Sequence, residues 1–151
     1  MDDHPIEIRP MRESDLNEWL RLRRLLWDRT SEDDHRVEML DIVEDPENQL
    51  VIVADIGDER LAGFLEVSIR PFVEDCYSDR VGYLEGWFVE KEHRRKGVGS
   101  RLVEAAEEWA RENGCPEMAS DAEIGNEVSL NAHLHLGYEE TSRLVHLRKE
   151  L

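Results

Sequence analysis

The sequence predicts an α/β fold, and two stretches carry that reading. Leu50 to Ile56 and Leu61 to Arg70 are runs of β-branched and apolar residues separated by Gly57-Asp58, turn chemistry that marks a hairpin. Tyr83 to Trp109 reads as an apolar strand, a basic glycine-bearing turn, and a helix on which Val98, Leu102, Ala105, Ala106 and Trp109 recur at helical spacing. At 151 residues the chain suits one domain, residues 1–151, with one core.

Taken in order, Ile6-Glu7-Ile8 alternates apolar and charged after Pro5 and reads as a first strand. Ser14 is a candidate cap for a helix running from Asp15 to about Trp27, with Leu16, Trp19, Leu20, Leu22, Arg23 and Leu26 in an i, i+3, i+4 pattern. A second helix is expected over Asp33 to Val43 with Val37, Leu40 and Val43 inward, ending before Pro46. After the hairpin, Pro71 to Arg80 is polar and reads as a loop that could lie over a site, followed by a strand from Val81 to Val89. The helix behind the glycines reaches Asn113 and stops at Gly114, and Glu117-Met118-Ala119 fits a short strand. From Glu127 to Leu136 the apolar residues alternate as in a strand, although Gly137 suits a helix C-terminus. Tyr138 to Leu151 is expected to return to the sheet as a strand pair or bent strand.

Composition narrows the function. The chain carries 36 acidic against 19 basic residues, a formal charge of -17, which disfavours nucleic acid and anionic membranes and attracts a polycation, or else solvates the surface. No apolar run approaches the roughly 20 residues of a membrane helix, and Met-Asp-Asp-His-Pro lacks the basic and apolar regions of a signal peptide, so a cytoplasmic protein is expected. Cys76 and Cys115 lack C-x-x-C spacing and read as free thiols. His133 and His135 would point their rings apart on a helix, and no ligand cluster supports a metal.

The turn Arg94-Arg95-Lys96-Gly97-Val98-Gly99-Ser100 lets backbone N–H groups converge, with a helix dipole behind them, and would hold a phosphate or pyrophosphate. It resembles the R/Q-x-x-G-x-G/A motif with which the GNAT N-acetyltransferase superfamily holds acetyl-CoA. Leu84-Glu85-Gly86, Ser120-Asp121-Ala122 with Asn126, and Leu136-Gly137-Tyr138-Glu139-Glu140-Thr141 are similar to the bacterial aminoglycoside 6'-N-acetyltransferases, from about Leu16 onward. The resemblance implies a GNAT fold, a mixed and strongly twisted sheet of six to seven strands flanked by about four helices. It implies a short helix after Asn126, a homodimer, and acetyl transfer from acetyl-CoA to the 6'-amino group of an aminoglycoside.

Acetyl transfer to an amine needs the cofactor held, the amine neutral when it attacks, the oxyanion stabilised and the thiolate accommodated. The resemblance gives the backbone of Trp87, Phe88 and Val89 to the pantetheine and thioester, and Asn126 to the cofactor, where the residue by itself reads as a helix N-cap. Glu85, a carboxylate in an apolar strand, needs a partner or a wet cleft. In the family the matching Glu and the Asp matching Asp121 bind the sugar's amines. A carboxylate's ordinary pKa lies about six units below an alkylammonium's, so Asp121 is expected to orient the ammonium and pass its proton on through water. His133 stands where many GNAT enzymes carry a Tyr near the cofactor sulfur, as a candidate acid or a structural His. Trp27 matches a substrate-contacting Trp, its indole suiting a cationic sugar or else the core. Phe72 replaces a Tyr of the family, and Ser142 an acidic residue, which bears on the preferred aminoglycoside. Alternative readings are a GNAT enzyme for a polyamine, protein amine or other small amine, and a non-catalytic module that binds acetyl-CoA.

Overall fold

The computed structural model describes residues 5–151; residues 1–4, part of the stretch read as lacking a leader, lie outside them. The order of elements is β1 (Glu7–Pro10), α1 (Leu16–Leu26), α2 (Glu32–Val43), β2 (Gln49–Gly57), β3 (Arg60–Arg70), β4 (Val81–Val89), α3 (Val98–Glu112), β5 (Glu117–Ser120) and α4 (Glu127–His135). The strands form one sheet in the order β1-β2-β3-β4-β5, antiparallel throughout except for β4 and β5, which run parallel because α3 carries the chain back between them. The expected mixed sheet is present with five strands in place of six to seven.

Period-two alternation divides the sheet between two layers. Ile52, Ala54, Leu65, Val67 and Leu84 pack with Val98, Leu102, Val103 and Ala106 of α3 on one face. Val51, Val53, Leu61 and Phe64 pack with Trp19, Leu20, Leu22 and Met39 of the two N-terminal helices on the other. The hairpin turns through Asp58 and Glu59, both with positive φ (53° and 59°), the pairing a two-residue hairpin turn demands.

Three sequence expectations are corrected and one ambiguity is resolved. Asp15, in place of Ser14, is the N-cap residue of α1; its carboxylate accepts from Arg12 N–H and binds Arg9, while Ser14 sits in a 3-10 turn. On α2, Val37, Leu40 and Val43 face solvent while His35 and Met39 are buried. The helix docks through a polar group: Arg23, buried on α1, donates from Nε to His35 Nδ1 at 3.1 Å, from Nη1 to Glu66 at 2.7 Å, and also to Glu38. For Glu127 to Leu136 the alternation is misleading; the segment is α4, capped by the Asn126 side chain accepting from Ser129 N–H at 3.1 Å, as the family resemblance implies. Residues 139–151 form no strand, and Leu144, Val145 and Leu147 are exposed. These three stand among Arg143, His146, Arg148 and Lys149 and join neither core layer, so no apolar burial draws the segment onto its own sheet.

The Arg23 group locks the two helices to β3 and shapes what lies above it. Trp19 Nε1 donates to Glu66 at 2.9 Å, His35 Nε2 donates to the Trp27 carbonyl at 3.1 Å, and the Arg23 guanidinium lies 4.7 Å from the Trp27 ring. Burial pushes the Glu66 carboxyl up, with Arg23 and Trp19 opposing. Removing one partner of a buried pair strands the other, at a cost of about 3–5 kcal/mol. Arg23→Met alone should therefore lower stability by that amount in urea unfolding, and Arg23→Met with Glu66→Met should regain most of it. A single variant as stable as the double would show that the pair carries no such constraint.

Candidate active site

The site begins at an irregularity in β4. Glu66 pairs with Gly86 and Val67 with Leu84, so Glu85 is an extra residue, a β-bulge. Before it, Gly82 and Leu84 face α3; after it, Trp87 and Val89 do, while Gly86 and Phe88 turn toward α1 and α2. Trp27 fills the space over Gly86, where a Cβ would meet Trp27 Cζ2 at 2.9 Å, and stands edge-on to Phe64. Only glycine lets the indole lie against the strand there.

Glu85 projects beside Ser68 and Arg70. Ser68 Oγ donates to it at 2.6 Å, and Arg70 binds it through a two-point fork, Nε at 2.8 Å and Nη2 at 2.6 Å. The same guanidinium lies 3.6 Å from the centre of the Tyr83 ring, and the Tyr83 hydroxyl donates to Asp121, the first residue past β5. Burial, and then this bond to a carboxylate, raise the Tyr83 phenol well above its usual range, so the proton stays on the phenol. Glu85 likewise holds Arg70 above its ordinary value. The structure thus brings Glu85, Asp121 and Trp27 to one face around a cation and a phenol.

The opposite side of β4 is shaped for a different ligand. β4 and β5 pair only from Val81–Glu117 to Leu84–Ser120, so from Glu85 to Val89 that edge of β4 has no strand partner among the described residues. The basic turn then leads into α3. Gly97 has φ 77°, and a Cβ placed on it would meet nothing within 4 Å, so its identity is set by conformation alone. Gly99 is glycine for space: a Cβ would lie 3.2 Å from Trp87, whose Nε1 donates to the Gly99 carbonyl at 3.2 Å. Arg95, also left-handed at φ 64°, holds a strained conformation in the same turn. The leading N–H groups of α3 lack intrahelical acceptors, and the helix dipole reinforces them. This is a cradle for an anion flanked by a free strand edge.

The remaining candidates divide. Val98 is buried in the core, so only its backbone N–H can reach a ligand, and the Trp87, Phe88 and Val89 side chains are partly buried against the two core layers. Arg94 folds back, Nε donating to the Val89 carbonyl at 2.7 Å, while Arg95 and Lys96 are exposed beside Gly97, and Ser100 lies in the first turn of α3. Asn126 is engaged as the α4 cap. Both nitrogens of His133 are in use: Nδ1 donates to the Ser129 carbonyl at 2.7 Å and Nε2 accepts from Ser120 Oγ at 2.8 Å. Phe72 is 74% exposed in the loop after Arg70, and Ser142 bonds Asp75 of that loop. Among the described residues no cluster of three His, Cys, Asp or Glu side chains could hold a metal ion. Sequence reasoning misses Arg70, Tyr83, Ser68 and Ser120. A signal exists: Glu66, Ser68 and Arg70 are polar at every second position of an otherwise apolar strand.

Comparison with known proteins agrees with this geometry. Residues 16–138 match the model of the acetyltransferase (GNAT) family. The chain is 42% identical to the aminoglycoside N(6')-acetyltransferase type 1 of Klebsiella aerogenes over 155 aligned positions, covering 100% of both. It superimposes on AAC(6')-Iy in complex with a bisubstrate analogue, CoA-S-monomethyl-acetylneamine, with a TM-score of 0.90 and 35% identity, covering 97% of this chain and 99% of that one. A structure of AAC(6')-Iy with CoA gives the same TM-score, 0.90, at 35% identity, covering 97% and 95%. The glycine-bearing turn, the bulged strand and the five-stranded sheet therefore have a common origin: the chain belongs to the GNAT acetyltransferase family.

Proposed function

We propose that this chain is an aminoglycoside 6'-N-acetyltransferase, acting as one domain over residues 1–151. The observation that carries the reading is the juxtaposition across β4 of an anion cradle with a free strand edge on one side and Trp27, Glu85 and Asp121 on the other. Relatives named for this activity, and one solved with a CoA–aminoglycoside conjugate, support it.

Acetyl-CoA supplies the activated acyl group. N–H groups of the Arg95 to Ser100 turn, with Arg94, Arg95 and Lys96 as counter-charges, hold its pyrophosphate, and the edge of Glu85 to Val89 aligns the pantetheine, with Asn126 alongside. N–H groups near Phe88 and Val89 face the thioester oxygen, where negative charge develops. Trp27, Glu85 and Asp121 dock and orient the substrate ammonium, with Phe72 at the rim; Asp121 relays the proton that the nitrogen gives up as it bonds to the acetyl carbon and the C–S bond breaks. As built, His133 acts through Ser120, which it holds in place. The need for acetyl-CoA supports a cytoplasmic location. Exposure of Leu144, Val145 and Leu147 supports a homodimer in which a second copy covers residues 139–151.

Purified protein should release CoA with a 6'-amino aminoglycoside and fail with its 6'-hydroxyl counterpart; equal rates would defeat the regiochemistry, and turnover only with spermidine or a protein amine would select a different acceptor. Asp121→Asn should raise aminoglycoside KM by about 10-fold or more, since a charge-assisted contact is worth roughly 1.5–3 kcal/mol, and lower kcat by a factor that grows as pH falls. Wild-type kinetics in that variant would remove Asp121 from the mechanism. Gly97→Ala forces a left-handed alanine costing about 1–2 kcal/mol, so acetyl-CoA KM should rise by about 5- to 30-fold with aminoglycoside KM little changed. In sedimentation, the full chain should run at twice its protomer mass, and removal of residues 139–151 should yield a monomer; a monomeric full chain would rule the dimer out.

A further inference from the structure

Two ion pairs lie along one face of the β3–β4 ladder, and they differ in exposure. The Arg23–Glu66 pair is sealed, its side chains 3% and 6% accessible. Four residues along the same face of β3, the Arg70–Glu85 pair has side chains 42% and 30% accessible. A sealed pair is part of the fold, whereas an open one stands in a high dielectric where holding two long side chains together stabilises little. The open pair is the one that occupies the candidate amine site.

The contacts of Arg70 are those an ammonium ion would make. It is hydrogen-bonded to both oxygens of Glu85, it lies over the face of Tyr83 at 3.6 Å, and through the Tyr83 hydroxyl it is one step from Asp121. Carboxylate on one side and aromatic face beneath is the arrangement that recognises a cationic amine. A substrate amine docking on Glu85 therefore competes with Arg70 for both carboxylate oxygens, and the Arg70 side chain, 42% accessible, is not part of the core.

We propose that Arg70 is the resident counter-ion of the amine site, a specificity-determining residue that the substrate displaces. This rests on the reading of Glu85 and Asp121 as the ammonium-binding carboxylates. A tethered cation competes at high effective concentration. A substrate with one ammonium offers Glu85 little more than Arg70 already gives, and it is held off. A polycation brings further charges to a protein of formal charge -17 and wins the exchange. The site thus selects for several amines by making the first contact a competition, in addition to any direct fit to the sugar.

The test compares neamine, a polyamine, with 6-amino-6-deoxyglucose, which has one amine, on wild type, Arg70→Gln and Arg70→Lys, by turnover with acetyl-CoA and by calorimetric binding. Removing the competitor should tighten both: KM and Kd for neamine should fall by about 3-fold, and those for the mono-amine by about 10-fold or more, so that preference for the polyamine shrinks. Acetyl-CoA KM, set on the other side of β4, reports that the protein is intact. Arg70→Lys keeps a cation but loses the fork and the planar stack, so it should shift in the same direction by a smaller factor. Weaker amine binding in Arg70→Gln would mean that Arg70 only holds Glu85 in place, and unchanged binding would mean that the pair is idle; either overturns the proposal. If Arg70→Gln fails to fold, a rise or no change in amine Kd for Arg70→Lys overturns it equally. Failure of the aminoglycoside reading itself appears elsewhere, as wild-type protein that binds neamine yet does not acetylate it.

Discussion

One extra residue in β4 sets the geometry on which everything else at the site depends. A strand presents alternate side chains to opposite layers, and without the bulge at Glu85 the strand would carry Leu84, Gly86 and Phe88 on one face throughout. With it, the parity reverses in mid-strand. Leu84 and Trp87 both join the α3 layer, Gly86 opens a slot for Trp27 on the other side, and the carboxylate between them is left at the surface beside Ser68 and Arg70. The added twist also fits the point at which β4 parts from β5 after Leu84 and Ser120. A free edge for one ligand and a carboxylate for the other thus come from the same local distortion.

The layers on either side of the bulge are stiffened by different means. On the α3 side the stiffness is apolar: Val98, Leu102, Val103 and Ala106 are buried against β2, β3 and β4, which fixes the start of the helix, and with it the basic turn, relative to Trp87. On the α1 and α2 side a buried carboxylate is answered by a guanidinium, an indole N–H and, through the guanidinium, an imidazole. His35 accepts at Nδ1, so its Nε2 carries the proton that binds the Trp27 carbonyl. The backbone and the ring face of Trp27 are thereby held by the same Arg23–His35 group, a sealed anchor, whereas the Arg70–Glu85 pair farther along β3 is open to solvent.

Much of this is legible in the sequence, for reasons that also explain what is not. The β4 boundaries, the helix behind the glycines and the hairpin follow from local residue pattern, and pattern is local physics. Glu85 stands out because a carboxylate in an apolar run must find a partner or water; it has both. The inward face of α2 escapes the pattern because His35, a polar residue, is what docks, and no periodicity of apolar residues can report a hydrogen-bonded anchor. Arg70 and Tyr83 escape it because their roles exist only across strands, in a register shifted by the bulge itself. The apolar content of the tail from residue 139 points to the sheet, but Leu144, Val145 and Leu147 stay exposed, and apolar content that buries nothing does not make a strand.

The hydrogen bonds of His133 bear on how the sulfur leaves. In the neutral ring, the proton on Nδ1 is committed to the Ser129 carbonyl and Nε2 receives the Ser120 hydroxyl, while the ring stands edge-on to Trp87 and Tyr138. Such an imidazole has no free proton to deliver and no free lone pair with which to collect one. To give a proton it would first have to take one at Nε2, which would reverse its bond to Ser120. The chain therefore holds a hydroxyl, backed by an imidazole, at the end of β5 beside Asp121, and any proton reaching the sulfur from this group must pass through that hydroxyl with the imidazole changing charge behind it. A CoA thiolate, whose pKa of about 8.5 makes it an adequate leaving group, does not need that passage. In this arrangement His133 holds the Ser120 hydroxyl and the Ser129 carbonyl of α4 in place.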